Sequence, residues 1–141
     1  MRLSHLCTLN LSYVGEFHLV RPYGNEAGAG WGVGEGTVTG ERLSGTVQWS
    51  NHPARRGDGT MLPSVRGVIR TPDDAEVMIE MSGRTVFDGP GTGHQLLFTV
   101  FESGHPSYTW LNDVVCVAEG RIDTETIESR IDVQLCETGD A

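Results

Sequence analysis

Three side chains with chemical potential, Tyr108, Trp110 and Asn112, stand at alternate positions in the stretch SYTWLND. Alternate residues of an extended strand share a face, so this pattern predicts a strand over residues 107–118 with a phenol, an indole and an amide side by side. Such a face is either a core stripe with satisfied polar atoms or the wall of a ligand pocket. In a pocket, Tyr108 would be an acid or base, Asn112 would stabilise an oxyanion, and Trp110 would form an aromatic wall.

A second cluster lies in WSNHPARRGDG, residues 49–59, where the end of a strand runs into a polar loop. Loops at a barrel mouth commonly carry binding groups, so His52 is a second candidate acid or base. Asp58 would orient His52 or Arg56, Arg56 would contact the substrate, and Trp49 would add an aromatic wall. The alternative is a solvated turn whose Arg–Asp pair contributes little to stability.

Arg66 in VRGVIR shares a strand face with Leu62 and Val68, and we expect it to point inward as an anion clamp. The predicted site is therefore made of five catalytic and three substrate-binding candidates. The catalytic candidates are Tyr108, His52, Asn112, Arg66 and Asp58, and the substrate-binding candidates are Trp49, Trp110 and Arg56.

Several familiar kinds of site have no support in the sequence. The glycines of residues 28–36 alternate, so they form neither a G-x-G-x-x-G frame nor a phosphate loop. They predict a strand with one bare face, for tight curvature or close approach of another group; a minority interpretation is a glycine-lined wall that opens space in the barrel. The five histidines lack metal-ligand spacing, and no G-x-S-x-G elbow is present. We therefore expect neither a metal nor a cofactor.

The elements that must position these residues are short strands. Apolar and polar residues alternate over residues 3–13, 42–49, 76–84 and 127–135, which is typical of half-buried antiparallel strands. Turn signals rich in Gly, Asp and Pro separate these runs. The chain of 141 residues is predicted to be a single all-β domain, a closed antiparallel barrel of roughly eight to ten strands. A barrel of about eight strands has room for one small ligand.

The amino-acid composition limits the classes of binding partner and the cellular compartment that we expect. A formal net charge of −9 argues against nucleic acid and against an anionic membrane surface. The three cysteines are far apart in the sequence, which fits a reducing compartment. The first residues lack the apolar run of a secretory signal, and no window is long and apolar enough to span a membrane. The sequence thus predicts a cytoplasmic protein with a small organic ligand.

An ordered set of short motifs resembles the DUF3237 family, also called UPF0311, which comprises small bacterial and fungal proteins of largely undefined activity. The matching pieces are GERLSG at 40–45, Asp58-Gly59, Arg66-Gly67, TPDDAEV at 71–77, Gly83-Arg84, YTWLN at 108–112 and Gly120. The resemblance implies an antiparallel barrel similar to calycin- and lipocalin-like barrels. It implies little about chemistry.

Two places depart from the family pattern. A Gly-Gly-x-Asp-Trp-like stretch is replaced by Trp49-Ser50-Asn51-His52, at the expected barrel mouth. The usual Asp-Gly-Ala turn is Asp73-Asp74-Ala75. The first departure means that a ligand shared by the family need not be shared by this chain.

Three functions remain open on sequence grounds. The first is a cofactor-independent acid/base enzyme, of isomerase, cyclase or lyase type, acting on a small aromatic or polyketide-like molecule inside the barrel. The second is a non-catalytic barrel that binds a small molecule, and the third is a homo-oligomeric assembly module. A cavity with polar and titratable walls would favour the first, an apolar cavity the second, and a barrel packed solid the third.

Overall fold

Amphipathic β-strands make up most of the structure, a computed structural model that describes residues 1–139. Within these residues the strands are β1 Arg2–Val20, β2 Gly28–Thr39, β3 Gly45–Asn51, β4 Ala54–Arg55, β5 Met61–Leu62, β6 Ser64–Arg70, β7 Glu76–Gly89, β8 Thr92–Glu102, β9 Cys116–Asp123 and β10 Glu128–Glu137. A 3-10 helix at Thr109–Asp113 lies between β8 and β9.

Eight of these strands close into an antiparallel barrel in the order β1-β2-β3-β6-β7-β8-β9-β10, with β10 pairing back to β1. The two short strands β4 and β5 form a small hairpin that bridges β2 and β7. Closure leaves no long unpaired edge among the eight strands. The predicted fold, a closed antiparallel barrel of roughly eight to ten strands, is confirmed.

The alternation in the sequence matches the inner and outer faces of the barrel. Val77, Ile79 and Met81 on β7 are buried, whereas Glu76 and Glu80 are exposed. Strand β1 is an exception, because a bulge between His5 and Cys7 shifts its register. Leu3 and His5 are exposed in consequence, although simple alternation groups them with the buried Cys7.

The two ends of the barrel differ. At the closed end, where β1 begins and β8 ends, residues 103–114 pack against the core and Leu111 is completely buried. Leu43, Ile69 and Phe101 fill the interior beneath it. At the open end, where β1 ends, lie the β4–β5 hairpin, residues 21–27 and the turn between β9 and β10. The barrel is therefore filled at one end only.

The predicted strand over residues 107–118 is wrong for most of its length. Residues 109–113 form a 3-10 helix, in which the amide of Leu111 donates to the carbonyl of Tyr108 at 3.0 Å, and pairing to β8 starts only at Cys116. Three alternating residues cannot distinguish a strand from a turn with one buried side chain, and here the buried side chain is Leu111, at an odd position.

Within residues 1–139 no helix is long and apolar enough to cross a bilayer.

Candidate functional site

A cavity of about 340 Å³ lies inside the open end of the barrel. Its volume falls at the lower end of the range of about 300 to 1,000 Å³ that is usual for small-molecule sites. Most of its wall is apolar, built from the inward-facing residues of β1, β7, β8 and β10. The aromatic members of this wall are Tyr13, Phe17, Trp49 and Phe87.

The glycine-rich strand β2 makes room for three of these rings. A side chain at Gly30 or Gly32 would begin within 2.7 Å of the Phe17 ring or 2.6 Å of the Tyr13 ring. With no side chains in the way, Tyr13 and Trp49 meet edge to face at 4.7 Å between ring centres. The prediction that the bare face of this strand permits close approach of another group is confirmed.

The main polar feature of the cavity is a hydrogen-bonded chain from Tyr13 through Asn51 to the backbone of Ser64. Asn51 Oδ1 accepts from the Ser64 amide at 3.0 Å, which fixes the orientation of the side-chain amide. Asn51 Nδ2 must then donate to the Tyr13 oxygen, 2.9 Å away. The Tyr13 oxygen is thus an acceptor in this bond, and its own proton is available to a further acceptor.

Burial decides the protonation of Tyr13. Loss of hydration raises the pKa of the Tyr13 phenol above its ordinary value of 10.0, and the hydrogen bond from Asn51 opposes this rise only in part. Tyr13 is therefore neutral at pH 7, and it acts as a proton donor in a hydrogen bond rather than as a base.

Two further wall residues carry polar atoms without partners. Trp49 Nε1 and Gln95 Oε1 are buried, and neither has a hydrogen bond to any part of the chain that the structure describes. Gln95 uses its other amide atom to donate to Thr85 at 3.3 Å. An unsatisfied buried polar atom costs about 1–3 kcal/mol, so a ligand that reached these groups after a side-chain rotation would relieve that cost.

The only charged side chain among the residues lining this cavity, within the described range 1–139, is Arg55. It belongs to the short strand β4, which pairs with Gly28 of β2 and Met61 of β5. Its guanidinium forms an ion pair with Glu26, with 2.6 Å between the charged atoms.

Of the sequence-predicted site residues, Trp49 alone lines the cavity. His52 is exposed and lies 3.1 Å from the Ser50 hydroxyl. Arg56 and Asp58 form an exposed pair at 2.7 Å, and the hydrogen bond from Arg56 holds the pKa of the Asp58 carboxyl well below its usual range. Residues 56–58 of the polar loop therefore form a solvated turn, whereas Arg55 of the same loop lines the cavity.

Arg66 does not point inward, contrary to the prediction. On β6 the buried residues are Val65, Gly67 and Ile69, so Arg66 lies on the outer face, 3.4 Å from Glu80 of β7. Strand alternation explains the error, because Arg66 is one residue away from the inward positions.

Tyr108, Trp110 and Asn112 lie at the closed end, on the 3-10 segment and away from the cavity lining. Tyr108 donates to Asp73 at 2.8 Å, and this bond raises the pKa of its phenol. Asn112 accepts from the Ser103 amide at 2.7 Å and donates to the Ser103 carbonyl at 3.0 Å. Trp110 lies under the Arg42 guanidinium at 3.7 Å. Each contact fixes the end of the barrel.

The sequence interpretation missed Asn51, Arg55 and Gln95 as wall residues. Asn51 continues the inward alternation of Val47 and Trp49, so extending that pattern by one step would have found it. Arg55 gave no such signal, because a strand of two residues has no periodicity. Tyr13 ends the alternating run of residues 3–13, and the sequence interpretation gave it no role.

Among the described residues, no group of three His, Cys, Asp or Glu side chains is placed to hold a metal ion.

The family model for DUF3237, described as a protein of unknown function, matches residues 1–134. The chain belongs to this family. No curated protein matches the chain.

Solved structures share the fold at low sequence identity. A β-barrel-like protein from Acinetobacter baumannii has a TM-score of 0.84 and 16% identity, over 96% of each chain. A protein with unknown function from Clostridium acetobutylicum has a TM-score of 0.85 and 17% identity, over 97% of this chain and 100% of that one. An enzyme from Penicillium herquei has a TM-score of 0.74 and 22% identity, over 96% of this chain and 94% of that one.

Proposed function

We propose that the protein binds a small, largely apolar organic molecule inside the open end of the barrel. The observation that carries this proposal is the cavity of about 340 Å³, whose walls are mostly apolar and include the Tyr13 hydroxyl, with its proton available to a ligand. A filled interior would have favoured the assembly module instead.

The ligand is expected to be flat and to carry a hydrogen-bond acceptor. The edge-to-face pair of Tyr13 and Trp49 offers ring surfaces for stacking. The Tyr13 hydroxyl would donate to a carbonyl or hydroxyl oxygen on the ligand. A cavity of about 150 Å³ holds a benzene ring, so the larger cavity in this barrel has room for two fused rings.

The test is calorimetric titration of the protein with naphthalen-2-ylmethanol, which has two fused rings and one hydroxyl. We expect one molecule bound per chain. Ser129 lines the cavity on β10, and its substitution Ser129→Phe should weaken binding at least about tenfold by filling the space. Glu128→Phe is the matched control, since Glu128 is the exposed neighbour of Ser129 and is not among the lining residues.

Melting temperatures of both variants establish that they fold. Equal affinity of Ser129→Phe and the unmodified protein would place the compound elsewhere and contradict the proposal, and so would absence of binding to the unmodified protein. Native mass spectrometry of freshly purified protein would add the identity of any ligand that is carried through purification.

A second candidate function is an acid-assisted enzyme, in which Tyr13 stabilises an oxyanion that forms on a bound carbonyl compound. It is supported by the Asn51 hydrogen bond, which favours negative charge on the Tyr13 oxygen and fixes the ring. The similar fold from Penicillium herquei is that of an enzyme. The described cavity wall holds no carboxylate or histidine, so water would have to act as the base.

This candidate predicts deuterium exchange at the α-carbons of 2-tetralone in D₂O. The C–H bond breaks, its proton passes to water, and the electron pair moves to the carbonyl oxygen, which accepts a hydrogen bond from Tyr13. The enolate then takes up a deuteron from solvent. Tyr13→Phe should abolish any acceleration over buffer, as measured by NMR. Tyr108→Phe distinguishes the two tyrosines, because a loss in that variant instead would favour the role predicted from the sequence.

A further inference from the structure

The charge lining the cavity has the opposite sign to that of the protein. The chain has 19 acidic and 10 basic residues, yet Arg55 is the charged residue of the described cavity wall. Burial of a charge beside an apolar cavity is unfavourable unless a partner compensates for it. Arg55 is held in this position by backbone pairing on both sides, to Gly28 and to Met61.

The partner of Arg55 is the kind of group that a ligand would replace. Glu26 lies in the exposed segment between β1 and β2, and its side chain is half exposed while that of Arg55 is only 20% exposed. Within residues 1–139, Glu26 is the acidic group within ion-pair distance of Arg55. A pair with one solvated partner contributes little to stability, so its exchange for another carboxylate costs little.

From these contacts we infer that the ligand is a small apolar carboxylic acid, bound as the carboxylate with its head on Arg55 in place of Glu26. The inference rests on the proposed function, since the apolar body occupies the cavity beside the contacting rings of Tyr13 and Trp49. The planar guanidinium matches a carboxylate with two parallel hydrogen bonds. Burial of the body then supplies the affinity by which the ligand displaces Glu26, which stays exposed and keeps Arg21 as a partner, 3.8 Å away.

The neighbouring arginine shows why position matters more than charge. Arg56 is next in the sequence and has an equivalent carboxylate partner, Asp58, in a bidentate pair at 3.1 and 2.7 Å. Arg56 is exposed and is not among the residues that line the cavity. The two arginines therefore offer the same head group, and only that of Arg55 is combined with an apolar space.

The experiment compares three compounds that share one body and differ in the head group: naphthalene-2-carboxylate, naphthalen-2-ylmethanol and naphthalen-2-ylmethylamine. Their dissociation constants are measured by calorimetry at pH 7 and low salt. We expect the carboxylate to bind at least about tenfold more tightly than the alcohol, and the amine more weakly than either.

Three variants then assign the effect to the head-group site. Arg55→Gln should remove the preference for the carboxylate, so that the dissociation constants of the carboxylate and the alcohol, measured in that same variant, differ by less than about threefold. Glu26→Gln removes the competing carboxylate and should tighten binding of naphthalene-2-carboxylate by about threefold or more. If Arg55→Gln does not fold, Arg55→Lys can be used instead. It keeps the positive charge but not the planar guanidinium, and it should lose most of the preference for the carboxylate over the alcohol.

Each remaining outcome contradicts the inference in a recognisable way. Binding of the alcohol with no preference for the carboxylate overturns the anionic class and leaves the proposed function intact. Unchanged affinity in Glu26→Gln shows that Glu26 and Arg55 form only a structural pair. Arg56→Gln is the matched control and should keep the preference for the carboxylate; a loss of preference equal to that in Arg55→Gln would return the role to Arg56, the arginine predicted from the sequence. Absence of binding by all three compounds overturns both proposals.

Discussion

Two asparagines, Asn112 at the closed end and Asn51 at the open end, are clamped in the same way and used differently. Each accepts a hydrogen bond from a serine amide, Ser103 at 2.7 Å and Ser64 at 3.0 Å. Asn112 donates back to the carbonyl of the same serine, whereas Asn51 donates to the Tyr13 hydroxyl. At the closed end the chain of hydrogen bonds thus ends on backbone, and at the open end it ends on a group with a proton to give.

The same contrast holds for packing. The closed end is filled by a leucine plug, Leu111, and the open end keeps a cavity whose wall includes the unpartnered atoms of Trp49 and Gln95. A protein interior is normally close-packed and its buried polar atoms are normally paired. The open end departs from both rules in one place, the cavity wall, whereas the unpartnered Oγ1 of buried Thr99 lies outside that wall. The combination of a cavity and unpartnered polar atoms is the usual signature of a ligand site. Changes at the closed end should therefore alter stability alone.

The largest expected effect is that of Leu111→Ala. Removing a completely buried leucine should lower the free energy of unfolding by about 3 kcal/mol, from lost burial and the space that remains. The affinity of the folded variant for naphthalen-2-ylmethanol should be unchanged. Urea denaturation measures the first quantity and calorimetry the second. Leu96→Ala, on the exposed outer face of β8, should change stability by less than about 0.5 kcal/mol.

Alkaline pH should also act through the closed half of the barrel. Burial raises the pKa of the Cys7 thiol from 9.0 to about 12 and that of Cys116 to about 11. The unfolded chain then loses these protons at lower pH than the folded one, so stability is complete below pH 9 and falls as the pH rises towards 12. We expect each of the two thiols to contribute a loss of about 2 kcal/mol between pH 9 and 11.

Urea denaturation across this pH range measures that loss. Cys7→Ala should reduce the slope, although it lowers stability at every pH by leaving a small space. Cys136→Ala is the control, because Cys136 is only partly buried, and it should keep the slope of the unmodified protein. A slope that is the same in Cys7→Ala as in the unmodified protein would contradict the assignment.

The two asparagines provide a direct test of the comparison. Asn112→Ala and Asn51→Ala each leave a serine amide without its partner, so each should lower the free energy of unfolding by about 1–2 kcal/mol. Only Asn51→Ala should also weaken binding of naphthalen-2-ylmethanol, since Tyr13 loses its orientation. We expect a change of about threefold to tenfold by calorimetry. Equal affinities of the two variants would remove the distinction between the two ends.

The sequence was sufficient to predict the barrel, because long alternating runs such as Val77, Ile79 and Met81 specify a strand and its buried face together. It also predicted the bare strand, since alternating glycines leave one face without side chains. Both predictions draw on many residues that agree with one another. Regular periodicity over a long segment is the sequence pattern that predicts the folded structure most reliably.

The site was not predictable in the same way, because it depends on single residues where regularity ends. The alternation of Tyr108, Trp110 and Asn112 covers too few positions to exclude a turn. In the structure this segment is a 3-10 helix, which is stabilised by burial of Leu111. Arg55 ends a strand two residues long and lines the cavity, whereas Arg56 is the next residue and is exposed. No local pattern carries that information, since the pairing of β4 with distant strands determines it.

Within residues 1–139, two residues other than glycine have left-handed backbone angles: Asp74 near the closed end with φ of 62° and Ile127 at the open end with φ of 55°. The smallest expected effect concerns these two residues. Asp74 stands where related sequences are expected to have glycine, and Asp73 beside it accepts from Tyr108. Its ion pair with Arg70 is exposed and contributes little. Asp74→Gly should raise the free energy of unfolding by about 0.5–1 kcal/mol and leave ligand affinity unchanged.

Ile127→Gly should behave differently, because Ile127 is branched, strained and part of the cavity wall. Relief of the backbone strain, of order 1 kcal/mol, should be offset by loss of the apolar side chain, so that stability changes by less than about 1 kcal/mol. Affinity for naphthalen-2-ylmethanol should fall about threefold, as measured by the same titration. If Ile127→Gly stabilised the protein as Asp74→Gly does and kept full affinity, the strain at the open end would have no connection with the cavity. A loss of affinity at unchanged stability would instead show that the open end retains a strained residue because that residue completes the binding surface.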